Sequence, residues 1–254
     1  METDLEFLTT TTPAARYAIC DEAFCDSLHA RLAPLEARLR ALPRMDPPPP
    51  DQADAPRGVN QLRQIYHFDP MQLLEALDGV SLHRDYLLEF LLFRPAATAA
   101  PEARVYVRKR FVPAFIRNAH QFDMIAGEQP CVLHHLDFER TAEGVLQFFL
   151  LWFLLGNLFR PVDRQGGGEL ALYAEAQKPL LLENHGHALA AARPGFLEGL
   201  DLRPRVALGE QAATLQLHSF DWRGGLQERE FRIAYPCEVS ALGSETLIPP
   251  AAAS

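Results

Sequence analysis

The residues of this chain whose types and spacing point most directly to chemistry are His135 and Asp137. Residues i and i+2 of an extended chain project to the same side, so this pair can hold one metal ion together. His218 supplies a further imidazole later in the chain. Two histidines and one carboxylate on one face leave three coordination positions open, and this ligand set is typical of mononuclear Fe(II) centres that react with dioxygen.

A basic residue completes the candidate site. A dicarboxylate cosubstrate of such a metal needs a cation for its far end, and a guanidinium matches a carboxylate bidentately. Arg232 follows His218 at a suitable distance along the chain, and Arg229 is a second candidate. We therefore predict that His135, Asp137 and His218 are metal ligands and catalytic residues. Arg232 is predicted to bind the cosubstrate.

The distal metal ligand has alternatives. His185 and His187 precede His218 in the sequence. If His187 were the ligand, Arg193 or Arg205 would have to bind the cosubstrate. We favour His218 because polar and apolar residues alternate more regularly in its segment than around His185 and His187. A zinc hydrolase site built from His185 and His187 with His134 and His135 is a weaker alternative, because the H-E-x-x-H and H-x-H-x-D strings of such enzymes are absent.

Alternation of polar and apolar residues predicts the strands that position these groups. Thr214, Gln216 and His218 fall on one face of a strand, away from Leu215 and Leu217. The strands predicted in the second half of the chain span residues 105–111, 132–138, 145–155, 169–173, 178–183, 206–208, 214–220 and 231–235. The apolar run at 145–155 is expected to be a strand buried on both faces.

The first part of the chain is predicted to be mainly helical. A short strand at residues 17–20 precedes Asp21 and Asp26, either of which can cap the following helix. A leucine stripe at residues 28–42 predicts that helix, and residues 61–93 are expected to form a second helical region. Helices followed by many short strands predict a barrel or sandwich packed against a helical layer.

The order of these segments resembles the Fe(II)/2-oxoglutarate-dependent dioxygenases, most nearly the prolyl-4-hydroxylase-like branch. In that branch an H-x-D strand is followed by an apolar strand, a Gly-Gly-Glu-Leu-like strand, the distal histidine and an arginine-bearing strand. The corresponding segments here are residues 135–137, 146–155 and 166–173, then His218 and Arg232.

The resemblance implies an α+β, mainly β fold. Its core would be a double-stranded β-helix, jelly-roll or cupin-like, with N-terminal helices packed on one side. Residues 1–254 would form a single domain. Within it, residues 14–95 would form the N-terminal strand and helical layer, 43–57 a Pro-rich loop, and 104–240 the β-helix core.

The resemblance also implies a function. Such an enzyme uses Fe(II), 2-oxoglutarate and O2 to hydroxylate an unactivated C–H bond, releasing succinate and CO2. The substrate would be an amino-acid, peptidyl or small natural-product molecule. The alternative from another class is a non-catalytic binding or scaffold subunit. It would keep a degenerate pocket and present a peptide to a separate enzyme through an exposed strand edge.

Composition narrows the partners. The formal net charge of −9 disfavours nucleic acid. The apolar run at 145–155 is shorter than the roughly 18 to 20 residues that span a bilayer, so no membrane partner is expected. Four cysteines without paired spacing, and a start without a basic signal region, predict free thiols in the cytoplasm. The oligomeric state is not indicated.

Overall fold

The computed structural model describes residues 16–40, 61–64, 69–94, 102–111, 132–158, 160, 162, 167–186, 189, 195–235 and 237–250. The predicted Pro-rich loop at 43–57 and Cys131 lie outside these residues. The described chain has an α+β fold whose strands pair antiparallel, which confirms the predicted fold class at this level. The single-domain organisation stays a prediction.

The strands form three sheets. They are β1 (Ala18–Ile19), β2 (Gln61–Gln64), β3 (Val80–Leu82), β4 (Tyr86–Arg94), β5 (Glu102–Lys109), β6 (Leu136–Phe138), β7 (Glu169–Leu172), β8 (Arg205–Leu208), β9 (Ala212–Asp221), β10 (Gly225–Ala234) and β11 (Glu238–Ile248). The largest sheet has the order β1-β8-β9-β10-β11, with β7 also paired to β9. The smaller sheets are β2-β4-β5 and β3-β6.

The described helices are α1 (Glu22–Arg40), α2 (Met71–Glu75), α3 (Ala142–Gly156), α4 (Gln177–His185) and α5 (Phe196–Gly199), with a 3₁₀ helix at Val132–His135. The large sheet has α3 on one face and α4 on the other. Asp21 caps α1 as predicted, because its Oδ1 accepts a hydrogen bond from the Phe24 N–H at 3.0 Å. The predicted stripe helix is therefore confirmed, and it contains Pro34.

The β9–β10 hairpin follows the predicted alternation. Leu215 and Leu217 are buried in one core, together with Phe231 and Ile233 of β10. We call the face carrying these four residues the α3 face, because α3 packs on it. His218 lies on the other face, which we call the α4 face because Leu181 of α4 packs there, in the cluster that includes Phe220 of β9.

The turn of this hairpin is held by local hydrogen bonds. Asp221 Oδ1 accepts from the backbone N–H groups of Arg223 and Gly224, each at 2.6 Å. Gly225 has φ +75°, and a Cβ there would lie 2.1 Å from the Ile248 carbonyl oxygen. Glycine is therefore required where β11 passes the turn.

The prediction of a strand at residues 145–155 was wrong, because this run lies inside α3. Thr141 begins the helix by accepting a hydrogen bond from the Gly144 N–H at 3.0 Å. Leucine is frequent in this run and loses little side-chain freedom in a helix, and β-branched residues are nearly absent. An all-round apolar run carries no periodicity, so its pattern could not separate a helix from a strand.

The burial of α3 on all sides explains its composition. Phe149 packs against Phe231 of the large sheet, with ring centroids 4.6 Å apart. On another side Phe148 stacks on Phe138 of β6 at 4.4 Å. No helix in the described ranges is long and apolar enough to cross a membrane.

Three further predictions about elements were wrong. The described part of residues 61–93 contains the short helix α2 and the strands β2, β3 and β4. Leu87, Leu88, Leu91 and Leu92 lie in β4, which pairs with β2 and β5 in one sheet. Residues 178–183 belong to α4 rather than to a strand. Residues 132–138 begin as a 3₁₀ helix, and only the last three form a strand. The strand β11 was not predicted.

Candidate functional site

His135 ends the 3₁₀ helix and is 9% exposed. Its ring packs on Tyr86 of β4, with centroids 4.3 Å apart. Its Nε2 is buried and has no hydrogen-bond partner among the described residues. Burial lowers the pKa of His135, and the neighbouring His83 and His134 lower it further. The imidazole is therefore held in its neutral form, which is the form that binds metals.

Asp137 is placed by the pairing of β6 with β3, in which it lies opposite Ser81. Its side chain is 74% exposed and contacts His83, whose Nε2 lies 3.1 Å from Asp137 Oδ2. The backbone N–H of His83 also donates to the His135 carbonyl oxygen at 2.9 Å. His83, which the sequence analysis missed, therefore joins the predicted H-x-D pair.

His83 and Asp137 border an open pocket of about 400 Å³, which we call the Asp137 pocket. It is lined by His83, His134, Leu136, Asp137, Phe138, Arg140, Tyr235 and Cys237. Arg140 lies 4.4 Å above the Tyr235 ring, so a guanidinium is held beside the histidines and the aspartate. Arg140 was also missed, although it follows Asp137 by three residues in the sequence.

The turn between β10 and β11 closes one wall of this pocket. Cys237 has φ +45° and is the one non-glycine residue of the described chain with positive φ. Its Sγ donates to the Leu136 carbonyl oxygen at 3.2 Å, which ties the turn to β6. Cys20, Cys25 and Cys237 are free thiols.

The structure does not bring His218 to the His135–Asp137 pair. His218 lies on the α4 face of the large sheet, opposite Glu228 of β10 and Leu172 of β7. It is 7% exposed, and burial lowers its pKa. β6, in contrast, packs on the α3 side, where Phe138 contacts Tyr235 at 5.5 Å between ring centroids. The large sheet therefore lies between the two parts of the predicted triad.

Arg232 is exposed and shares the α4 face with His218, opposite Thr214 and Ser240. Four residues of strand separate the His218 and Arg232 levels, which is roughly 13 Å. Arg229 forms an ion pair with Glu169. Neither arginine lines the Asp137 pocket.

The alternative distal ligand His185 also lies on the α4 face. Its ring packs against Phe220 and Trp222, with centroids at 4.8 and 5.8 Å. Arg205 is exposed on β8. His187 and Arg193 lie outside the described residues.

A metal fits this site by ligand type but not by the arrangement of its donor atoms. His83, His135 and Asp137 offer two imidazoles and one carboxylate. The rings of His83 and His135 are 6.2 Å apart between centroids and nearly perpendicular. Within the described part of the chain, no three histidine, cysteine, aspartate or glutamate side chains are grouped so that they could hold a metal ion.

Comparison with protein-family models, with curated proteins and with solved structures gives no match for this chain. The argument for function therefore depends on the residues themselves.

Proposed function

We propose that this protein is an Fe(II)- and 2-oxoglutarate-dependent oxygenase whose metal site lies in the Asp137 pocket. The observation that carries the proposal is the position of His83, whose Nε2 lies 3.1 Å from Asp137 Oδ2. With His135 next to it, His83 supplies the second imidazole that we had assigned to His218. The proposed ligands are therefore His83, His135 and Asp137.

Arg140 takes the role that we had assigned to Arg232. It lines the same pocket as Asp137, and its stacking on Tyr235 limits the orientations of its guanidinium. A guanidinium there can bind a carboxylate of 2-oxoglutarate bidentately. The open pocket of about 400 Å³ leaves room for the cosubstrate and part of a small-molecule or peptidyl substrate.

Iron would supply the oxidising chemistry when it is bound. The chain contributes the His83 imidazole, the Asp137 carboxylate and the Arg140 cation to one pocket. His135 lies next to His83, outside the lining of that pocket. Since the donor atoms do not converge in the described conformation, the proposal requires the His135 ring to turn away from Tyr86 when metal binds. We also propose that the core of the fold is a double-stranded β-helix. The antiparallel sheets of the described chain agree with the broader α+β class.

The test is metal and cosubstrate binding by the full chain. Anaerobic protein with stoichiometric Fe(II) and 2-oxoglutarate is expected to develop a weak visible charge-transfer absorption, and in air to form succinate. His83→Gln and Asp137→Asn are expected to reduce both signals to background, because each removes a ligand.

Matched controls lie on the opposite face of the sheet. His218→Gln and His185→Gln are expected to keep both signals, with folding checked by circular dichroism. Loss of the signals in His218→Gln but not in His83→Gln would restore the ligand set predicted from the sequence. Absence of both signals in the wild-type protein rules out the oxygenase.

The second candidate is the non-catalytic binding subunit, and β11 is the observation that favours it. This eleven-residue strand is mostly exposed, and among the described strands it pairs with β10 alone. Its outer edge offers backbone hydrogen bonds to an extended peptide. Peptide binding that perturbs the β11 amide signals in NMR spectra without Fe(II) supports this candidate, provided that the wild-type protein forms no succinate.

A further inference from the structure

A second cavity lies between α1 and α4, beside the edge of β7 that pairs with no other described strand. It has a volume of about 260 Å³, and we call it the Arg40 cavity. It is lined by His29, Ala33, Glu36, Ala37, Arg40, Val162, Leu170, Gln177, Leu180, Asn184 and His185. It shares no lining residue with the Asp137 pocket, so the two can be tested independently.

Arg40 is only partly satisfied in this cavity. Its Nη2 donates to the Glu169 carbonyl oxygen of β7 at 3.2 Å. The same nitrogen is 3.9 Å from Glu36 Oε2, which is too long for a hydrogen bond. Nη1 is buried without a hydrogen-bond partner in the described part of the protein. A buried charged donor without a partner is costly, so Arg40 calls for an acceptor.

Two further polar groups near Arg40 also have no hydrogen-bond partner among the residues described. They are His29 Nδ1 and the hydroxyl of Tyr173, and both atoms are buried. Tyr173 is fully buried and its ring meets His29 edge-on, with centroids 5.8 Å apart. Burial raises the pKa of Tyr173, which keeps its hydroxyl protonated and able to donate.

The other polar groups of the cavity differ from Arg40 in their state. Gln177 is bound to the backbone, since it accepts from the N–H groups of Tyr173 and Ala174 and donates to the Ala171 carbonyl. Burial raises the pKa of Glu36, although Arg40 opposes this. Among these three side chains, Arg40 is the cation with an unpaired donor, and an anionic acceptor suits it.

We propose that the Arg40 cavity binds a small organic monocarboxylate. Its carboxylate would accept from Arg40 Nη1, and its apolar body would lie against Ala37, Leu170 and Leu180. The volume equals roughly nine water molecules at about 30 Å³ each, which suits an acid the size of hexanoate or phenylacetate. A second negative charge is disfavoured because most of the remaining wall surface is apolar.

The experiment is calorimetric titration of the full chain with hexanoate and, as controls of the same length, hexanol and hexylamine. Hexanoate is expected to bind, and the two controls to bind at least tenfold more weakly. Arg40→Gln is expected to weaken hexanoate binding roughly 10- to 100-fold, since it removes a charge-assisted hydrogen bond. Arg38→Gln is the matched control. Arg38 lies on the same helix but bonds Gln72 outside the cavity, so its loss should leave binding unchanged.

A second measurement keeps the test valid if Arg40→Gln does not fold. In the wild-type protein, hexanoate is expected to shift the methyl NMR signals of Leu170, Leu180 and Ala37, but not that of Leu208, which is exposed on β8. Preference for hexylamine, equal binding by a folded Arg40→Gln, or methyl shifts absent from the cavity would each overturn the proposal. Unchanged hexanoate binding in Asp137→Asn is also expected, which separates this proposal from the oxygenase.

Discussion

The Asp137 pocket and the Arg40 cavity contain the same kinds of side chain in opposite surroundings. Each is lined by histidine, carboxylate and arginine side chains. Tyr235 lines the pocket, and Tyr173 packs against His29 of the cavity. In the pocket, Asp137 and His83 are 74% and 45% exposed, whereas in the cavity the side chains of Glu36 and Arg40 are only 11% and 18% exposed. Water can hydrogen-bond to exposed groups, so the contact between His83 and Asp137 contributes little to stability. Both side chains therefore remain available to a ligand. Buried groups depend on their protein partners, and each missing partner is costly.

The largest expected difference between the regions is in stability. Tyr173→Ala removes a fully buried ring beside the Arg40 cavity and is expected to lower the free energy of unfolding by about 3–5 kcal/mol. Tyr235→Ala removes a half-buried ring of the Asp137 pocket and is expected to cost about 1–2 kcal/mol. Urea denaturation of both variants measures this difference. Equal losses would mean that the two regions are packed alike.

A smaller effect depends on pH. Because burial raises the pKa of Glu36, the unfolded chain releases this proton at a lower pH than the folded protein. Stability is therefore lost as the pH rises from the ordinary value of 4.5 through the raised pKa. Glu36→Gln cannot ionise, so its stability should gain on that of the wild type as the pH rises above about 5.

Asp201 is the control of opposite sign for this measurement. A hydrogen bond from Arg203 lowers the pKa of Asp201 to about 2. Its contribution is present above the ordinary value of 3.8 and is lost as the pH falls towards 2. Asp201→Asn should therefore differ from the wild type by a constant amount over the window that tests Glu36. A constant difference for Glu36→Gln as well would contradict the prediction.

The smallest expected effect distinguishes a missing partner from a missing ring. Tyr173→Phe removes a hydroxyl that has no hydrogen-bond partner among the described residues, so the unfolding free energy should change by less than about 1 kcal/mol. If the hydroxyl donates to a bound carboxylate, the same variant should weaken hexanoate binding. A large loss of stability without ligand would show that the hydroxyl already has a partner.

The sequence predicted the alternation along β9 well because one face of that strand is apolar. Leu215 and Leu217 had to share a core, so His218 had to lie on the other face, and it does. Alternation states which residues share a face, but not which layer of the protein that face meets. For this reason the pattern could not show that His218 and Asp137 lie on opposite sides of the large sheet.

The neighbour of Asp137 was missed for a different reason. His83 reaches Asp137 through the pairing of β3 with β6, two strands of three residues that are far apart in the sequence. Strands of three residues are too short for an alternation of polar and apolar residues to predict them. The residues around them also give no signal of which strand they pair with. The prediction for the α3 segment failed for the opposite reason. This run is apolar on every side, so its sequence has no periodicity that separates a helix from a strand.

Cys237 affects the geometry of the Asp137 pocket, which it lines. Its left-handed backbone costs on the order of 1 kcal/mol, a cost that a glycine would avoid. A glycine, however, has no thiol to clasp the Leu136 carbonyl, and Leu136 immediately precedes Asp137 in β6. The position of the aspartate thus depends on a strained turn a hundred residues away in the chain. Chemistry at that sulfur can reach the pocket without touching any of its proposed ligands.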